Sequence, residues 1–418
     1  MKRAVGLFFL LVSQGLFAAV SFDEAFRAAL KRSEAMGISE QAVVQSEEAL
    51  SQARGALMPA IGFNALHTTT PAPPPGFEEF APQHQTTLSF GLVQPVFKGL
   101  REYAGLRKVG NLRAASGFKR DAAKLTLFGE VAQNYFTVLN LEQDVRNLQQ
   151  QVDIYQKRIG DLQGRKRRGE SNASDVLSAR AFEASLEAEL RLIQSQVLVA
   201  REGFAFYTGL ERNSELKDPQ LAKPVPGLDT LLAQLEKRPE ILAAGEALKA
   251  SEEDVSIAWG GHLPSVDLMA NVYLLRPGFM KDYRWDVGGK LTFPLFAGGA
   301  VSSQVREAMS KRTQSELEMH RLRRLAEQQI RALHASYTAR VEHLDKLKVS
   351  LQLADQNSQV LQRDYKRGLV RNIDVQLALT EAGSSRRRLD QARFQAQTEY
   401  LSLQIATAQL PETGEATK

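Results

Sequence analysis

The stretch LEQDVRNLQQQVDIYQKRIGDL, residues 141–162, places apolar side chains at Leu141, Val145, Leu148, Val152, Tyr155, Ile159 and Leu162. The gaps run 4, 3, 4, 3, 4, 3, a heptad seam that offers one apolar residue per turn to a partner helix. No proline interrupts the chain from about Leu100 to Arg168. The seam therefore belongs to a helix of some 65 residues, on the order of 100 Å long. Globular helices average about 10–14 residues, so the spacing predicts a rod or coiled-coil wall. Gly169 stops the run, and a returning helix is expected from Ser174-Asp175.

The same events recur further along. Pro95 and Pro294, Phe97 and Phe296, Gly99 and Gly298, Gly169 and Gly368, and Asp175 and Asp374 are each 199 positions apart. Pro59 and Pro264 are 205 apart, so the first-half hairpin is longer by 205 − 199 = 6 residues, within the proline-rich PAPPPGFEEFAP of 71–82. A constant offset through strand, turn, rod and tip is an internal repeat. Each half reads as helix, β-hairpin, long helix, tight tip and long returning helix.

Between the helices the period drops to two. Ile61, Phe63 and Ala65 alternate with Gly62, Asn64 and Leu66, and Leu88, Phe90 and Leu92 share one side. Val266, Leu268, Ala270, Val272 and Leu274 form the cleanest alternation, followed by Trp285, Val287, Gly289, Leu291 and Phe293. The pattern predicts a first repeat over 20–222, with strands at about 60–70 and 86–97 and long helices at about 100–168 and 174–210. A linker, KPVPG at 223–227, precedes a second repeat over 228–418. Its strands are expected at about 264–275 and 284–296, and its long helices at about 300–367 and 373–410. Before the first strand, Ser21 to Met58 reads as helical, with Ser21 and Glu24 as a capping pair.

Residues 1–19 read as a signal peptide: Lys2 and Arg3, the apolar VGLFFLLV of 5–12, then Ala18-Ala19. No later stretch reaches ~20 consecutive apolar residues, so any membrane crossing falls to β-strands. Four strands cannot close a barrel, and an open sheet leaves unsatisfied edges in lipid. Two copies give eight strands and three give twelve.

Of 418 residues, 43% are hydrophobic and 24% charged, which suits a folded chain. The absence of cysteine excludes disulfides, thiolate metal sites, cysteine nucleophiles and a lipid-acylated cysteine. The net charge of +5 is a weak pointer to acidic partners. His67, His84, His262, His320, His334 and His343 form no HExxH or i, i+4 pair. There is no G-x-S-x-G elbow, phosphate loop or dinucleotide fingerprint. No catalytic, cofactor-binding or metal residues are expected, so the protein is not read as an enzyme, and energy must come from a partner. Export also makes nucleic acid an improbable ligand.

The segments leaving the strands, QPVFKGLREY (94–103) and FPLFAGGAVSSQVREA (293–308), and the tips, RRGESNASDVLSAR (167–180) and YKRGLVRNIDVQLA (365–378), stand in register. Together they resemble the TolC-like outer-membrane efflux family over essentially the whole mature chain. The resemblance implies an α+β membrane protein, a homotrimer whose 12-stranded β-barrel in outer-membrane lipid is continuous with a long α-helical tunnel in the periplasm. It implies an exit duct of a tripartite efflux or secretion system, fed by an inner-membrane transporter through a periplasmic adaptor (membrane fusion) protein.

The resemblance also marks site residues. Asp374, Asp175, Ser174, Tyr365 and Arg371 match the periplasmic gate. Arg168, Gly169, Glu170, Ser171, Arg367, Gly368, Leu369 and Val370 match adaptor-contact positions. Leu377 stands where some members carry a second aspartate, and the linking arginine falls at Val370, one place before Arg371. The bland reading of Asp175 and Asp374 is helix capping beside a favourable N-terminal dipole. The sharper one is a symmetry-repeated acidic ring at a narrow mouth. A non-pore exported coiled-coil scaffold is the alternative class, but it leaves the period-2 segments unexplained.

Overall fold

The computed structural model describes residues 19–219 and 224–409. The expected signal peptide, apart from Ala19, lies outside the described residues, as do Lys223 and Leu410. The helices are α1 (Phe22–Arg32), α2 (Glu34–Gly55), α3 (Arg101–Arg167), α4 (Ala173–Thr208), α5 (Leu228–Leu232), α6 (Pro239–Gly260), α7 (Ala300–Lys366) and α8 (Asn372–Ala406). The strands are β1 (Ala60–Thr69), β2 (His84–Lys98), β3 (Ser265–Leu275) and β4 (Trp285–Thr292). Helices α3 and α7 each contain 67 residues, and both their ends are 199 positions apart. The internal repeat is thus carried into three dimensions.

Two compact units divide the chain. One comprises Met1–Glu34, Lys124–Leu232 and Gln329–Lys418; the other comprises Ala35–Ala123 and Ala233–Gln328. The first is a helical assembly. Ser21 caps α1, its Oγ accepting from the Glu24 N–H at 3.3 Å while the Glu24 carboxylate takes the Ser21 N–H at 2.8 Å. The helical stretch expected over 21–58 is two helices, because Ser33 turns extended, with ψ 115°. Helix α1 buries Phe22, Ala25, Phe26 and Ala29. Phe22 and Phe26 meet the Phe128 ring edge-on at 5.1 and 5.0 Å, and burying each such ring contributes about 1.5–3 kcal/mol. Beside them Tyr135 Oη donates to the Lys217 carbonyl at 2.5 Å, with the Val20 carbonyl at 2.9 Å sharing the same hydrogen. Burial pushes this phenol far above the usual tyrosine range. Along α3 the seam residues Leu148, Val152, Tyr155, Ile159 and Leu162 are buried, as are Tyr337 and Leu344 of α7. Arg387 of α8 crosses to α3 and α4, donating to Asp144 at 2.5 and 2.8 Å and to Glu189 at 2.7 Å.

The second unit holds one antiparallel sheet of order β1-β2-β3-β4. Register alone sorts its side chains. Phe63, Phe90, Val272 and Trp285 form one row across all four strands, and Ile61, Leu92, Ala270 and Val287 form another on the same face. Between these two rows, on the opposite face, lie Gly62, Gly91, Asn271 and Asp286. The apolar rows are open to their surroundings, with Ile61 72% and Trp285 68% exposed. Among the described residues, no helix is long and apolar enough to cross a membrane.

β4 ends at Thr292, four residues short of the expected 296. Pro294 lacks the N–H a ladder needs, and Leu295 and Phe296 stand almost fully exposed. The equivalent Pro95 stays inside β2 because the register shifts there. Pro95 pairs with Asp267 and Phe97 with Val266, leaving Val96 as the extra residue of a bulge.

Candidate functional site: the paired helix tips

Both tips lie in the helical unit and follow one design. Gly169 (φ 76°) and Gly368 (φ 77°) adopt the left-handed conformation that terminates a helix. Around the first, the Gly169 N–H returns to the Lys166 carbonyl at 3.0 Å and the Glu170 N–H to the Arg165 carbonyl at 2.9 Å. Around the second, Gly368 returns to Tyr365 and Leu369 to Asp364, both at 3.0 Å. These paired bonds satisfy carbonyls that α3 and α7 would otherwise leave open. A Cβ at either glycine would meet no atom, so the requirement is conformational rather than steric.

The returning helices begin one residue earlier than expected, and their N-caps are Asn172 and Arg371. Asp175 and Asp374 therefore sit in the first turn, three residues on, and cap backwards. Asp175 Oδ2 accepts from the Asn172 N–H (3.3 Å) and Ser171 Oγ (2.9 Å). Asp374 Oδ2 accepts from the Arg371 N–H at 3.0 Å, with Arg371 Nε at 3.5 Å. A carboxylate here is favoured by the unpaired N–H groups and the helix dipole. Ser174 is exposed.

The Tyr365 ring packs on Ile159, Leu162, Val176 and Ala179. The guanidinium carbons of Arg158 and Arg165 lie 5.0 and 5.1 Å from the ring centroid. Arg168 pairs with its neighbour Glu170 at 2.9 Å, which lowers the Glu170 pKa and raises that of Arg168. Arg367 and Gly368 are exposed, Ser171 and Val370 half-buried. Leu369 is 69% exposed, an apolar side chain at the very end of the tip.

Arg158, Asn372, Gln376, Ser178 and Thr380, which sequence reasoning passed over, join the helices at the tips. Arg158 Nη2 donates to Asn372 Oδ1 at 2.5 Å, and Asn372 Nδ2 donates to the Asp175 carbonyl at 3.5 Å. Gln376, wholly buried, donates to Ser178 Oγ at 3.2 Å. Tyr155 Oη bonds Thr380 Oγ1 at 3.1 Å. Burial raises the Tyr155 pKa and lowers that of Arg158. The polar spacing of Asn372, Gln376 and Thr380, four apart on one face of α8, was the available signal.

Beside this network a cleft of about 540 Å³ opens between α3 and α7, lined by Lys157, Arg158, Arg165, Arg168 and Lys366, with Asp161 among them. Its field is positive. The tips thus combine two first-turn carboxylates, an internal amide bridge and a basic cleft.

A family model described as outer membrane efflux protein matches residues 25–210 and 232–409. Outer membrane protein TolC of Escherichia coli is 22% identical over 387 residues, which cover 87% of this chain and 77% of that protein. Pyoverdine export outer membrane protein OpmQ of Pseudomonas putida is 26% identical over 307 residues, 68% of this chain and 62% of that one. Among solved structures, the outer membrane protein VceC from Vibrio cholerae superposes with a TM-score of 0.82 at 20% identity, covering 92% of this chain and 95% of its own. The CmeC outer membrane channel of Campylobacter jejuni gives 0.82 at 17% identity, with coverages of 94% and 87%.

Proposed function

This chain belongs to the outer membrane efflux protein family, and from that membership we propose that three copies close one barrel and one tunnel through which solutes leave the cell. It is an outer-membrane efflux channel; the copy number, the gate and the docking partners are the proposal. The sheet carries this reading. One face is apolar and exposed across four strands, while every lysine, arginine, aspartate and glutamate of those strands lies on the other. That is the alternation of a barrel wall between lipid and water. β1 and β4 are the edges of the sheet, and edges in lipid must be paired. Pairing β4 of one copy with β1 of the next closes a ring, and the family resemblance supports three copies and twelve strands.

The tips are the periplasmic end. Asp374, repeated by symmetry, forms an acidic ring at the mouth, and the Arg158–Asn372–Asp175 chain holds each copy's two tips together at rest. Leu369, Gly169, Gly368 and the basic cleft form the docking surface for a periplasmic adaptor, whose acidic side chains the cleft would accept. An inner-membrane transporter supplies the energy; the duct performs no chemistry and needs no cofactor. Light scattering of the detergent-extracted protein, corrected for bound detergent, tests the assembly. Three chains per particle support it, and a single chain overturns it.

A further inference from the structure

The strands contain four lysine, arginine, aspartate or glutamate residues: Lys98, Asp267, Asp286 and Lys290. They form two levels on the polar face. At one level Asp286 accepts from Asn271 Nδ2 at 2.9 Å and lies 3.5 Å from Arg276 Nη2. Arg276 is held there by the Tyr273 ring, 4.1 Å from its guanidinium carbon. This level is neutral, one cation against one anion.

The other level is not. Asp267 stands directly across the ladder from Lys290, and Lys98 Nζ is 3.6 Å from its Oδ1. That oxygen is buried and accepts no hydrogen bond from any described residue, so its compensation is electrostatic. Lys98 reaches this face only through the bulge. Without the extra Val96, the alternation would send Lys98 to the apolar face and Phe97 to the polar one. Arg101 and Glu102 add no net charge here. Both turn onto the Lys98 backbone, Arg101 Nε to its carbonyl and Glu102 to its N–H, each at 2.9 Å. Two cations therefore face one anion.

We propose that Lys98, Asp267 and Lys290 form a net-positive belt around the lumen of the assembled barrel, favouring anionic over cationic solutes at that level. The proposal rests on the assembled-pore reading above. Copies related by symmetry multiply the excess charge, and rings of like charge set the ion preference of pores. The sign is opposite to that of an Asp374 ring at the tips.

The chain contains no cysteine, which allows the charge to be changed in place. Lys290→Cys channels in planar bilayers, under a potassium chloride gradient near 0.1 M where the screening length is about 10 Å, report the belt as a reversal potential. Relative to wild type, the chloride-over-potassium permeability ratio should fall by about two-fold. It should fall further after a membrane-impermeant sulfonate thiol reagent and recover after a trimethylammonium one. Asp267→Asn should raise the ratio. Leu291→Cys, on the apolar face, should ignore both reagents. A Lys290→Cys channel with the wild-type ratio, unmoved by either reagent, overturns the belt. A wild-type preparation that forms no channels overturns the pore reading itself, a different result.

Discussion

Arg158 of α3 and Asn372 of α8, 214 residues apart in the chain, meet at 2.5 Å, and Asn372 carries the link on to the Asp175 carbonyl at 3.5 Å. One amide thus ties the two tips of a single chain. Asn372→Ala removes both bonds and leaves the half-buried Arg158 short of an acceptor, a loss of about 1–3 kcal/mol. The expected outcome is a lower denaturation midpoint together with a raised resting conductance. A variant that conducts as wild type would deny the bridge any part in closing the tip.

Tyr365 separates ring from hydroxyl. Because its ring packs on Ile159, Leu162, Val176 and Ala179 under two guanidinium groups, Tyr365→Phe should keep wild-type stability and resting conductance. Tyr365→Ala should lose about 1–3 kcal/mol of apolar burial and cation–π attraction. Equal effects of the two substitutions, read by urea titration, would return the role to the hydroxyl.

Arg387 joins three helices through Asp144 and Glu189, and their carboxylates raise its already high pKa. Its side chain is 25% exposed. Screening at that exposure brings the loss on Arg387→Met below the 3–5 kcal/mol of a fully buried pair, to about 1–3 kcal/mol. Restoring near-wild-type stability by adding Asp144→Asn and Glu189→Gln would show that the stranded carboxylates, not lost packing, carry the effect.

Alkaline pH tests the packing around Tyr135. Its folded pKa is raised by burial, so the folded state keeps a proton that the unfolded chain releases near pH 10. The stabilisation is therefore complete below about pH 10 and declines as pH rises toward the folded value. Tyr135→Phe cannot ionise and should show a shallower decline in denaturation midpoint between about pH 9 and 11. Parallel slopes would contradict the assignment.

Legibility in the sequence followed periodicity. The seam from Leu148 to Leu162 and the alternation through Val266, Leu268, Ala270 and Val272 are each set by one repeating spacing, and burial and register follow them. The 199-residue offset carried over because paired glycines with positive φ end both rods. What escaped were features fixed by partners distant in sequence. Arg158 lies between seam positions and carries no local sign of its bond, and the polar spacing that Asn372 shares with Gln376 and Thr380 does not name its partner. Gln376 is polar yet wholly buried, since its amide is satisfied across the tip by Ser178. Pro95 and Pro294 look alike in sequence, yet the bulge keeps the first in the ladder while β4 ends before the second.

Single-channel recording of the purified, detergent-extracted protein in planar bilayers tests whether copies of this chain close a water-filled duct through the outer membrane. Discrete conductance steps are expected, with cation preference at the mouth that weakens in Asp374→Ala. A protein that stays in solution without detergent and never conducts would contradict the duct and restore the coiled-coil scaffold.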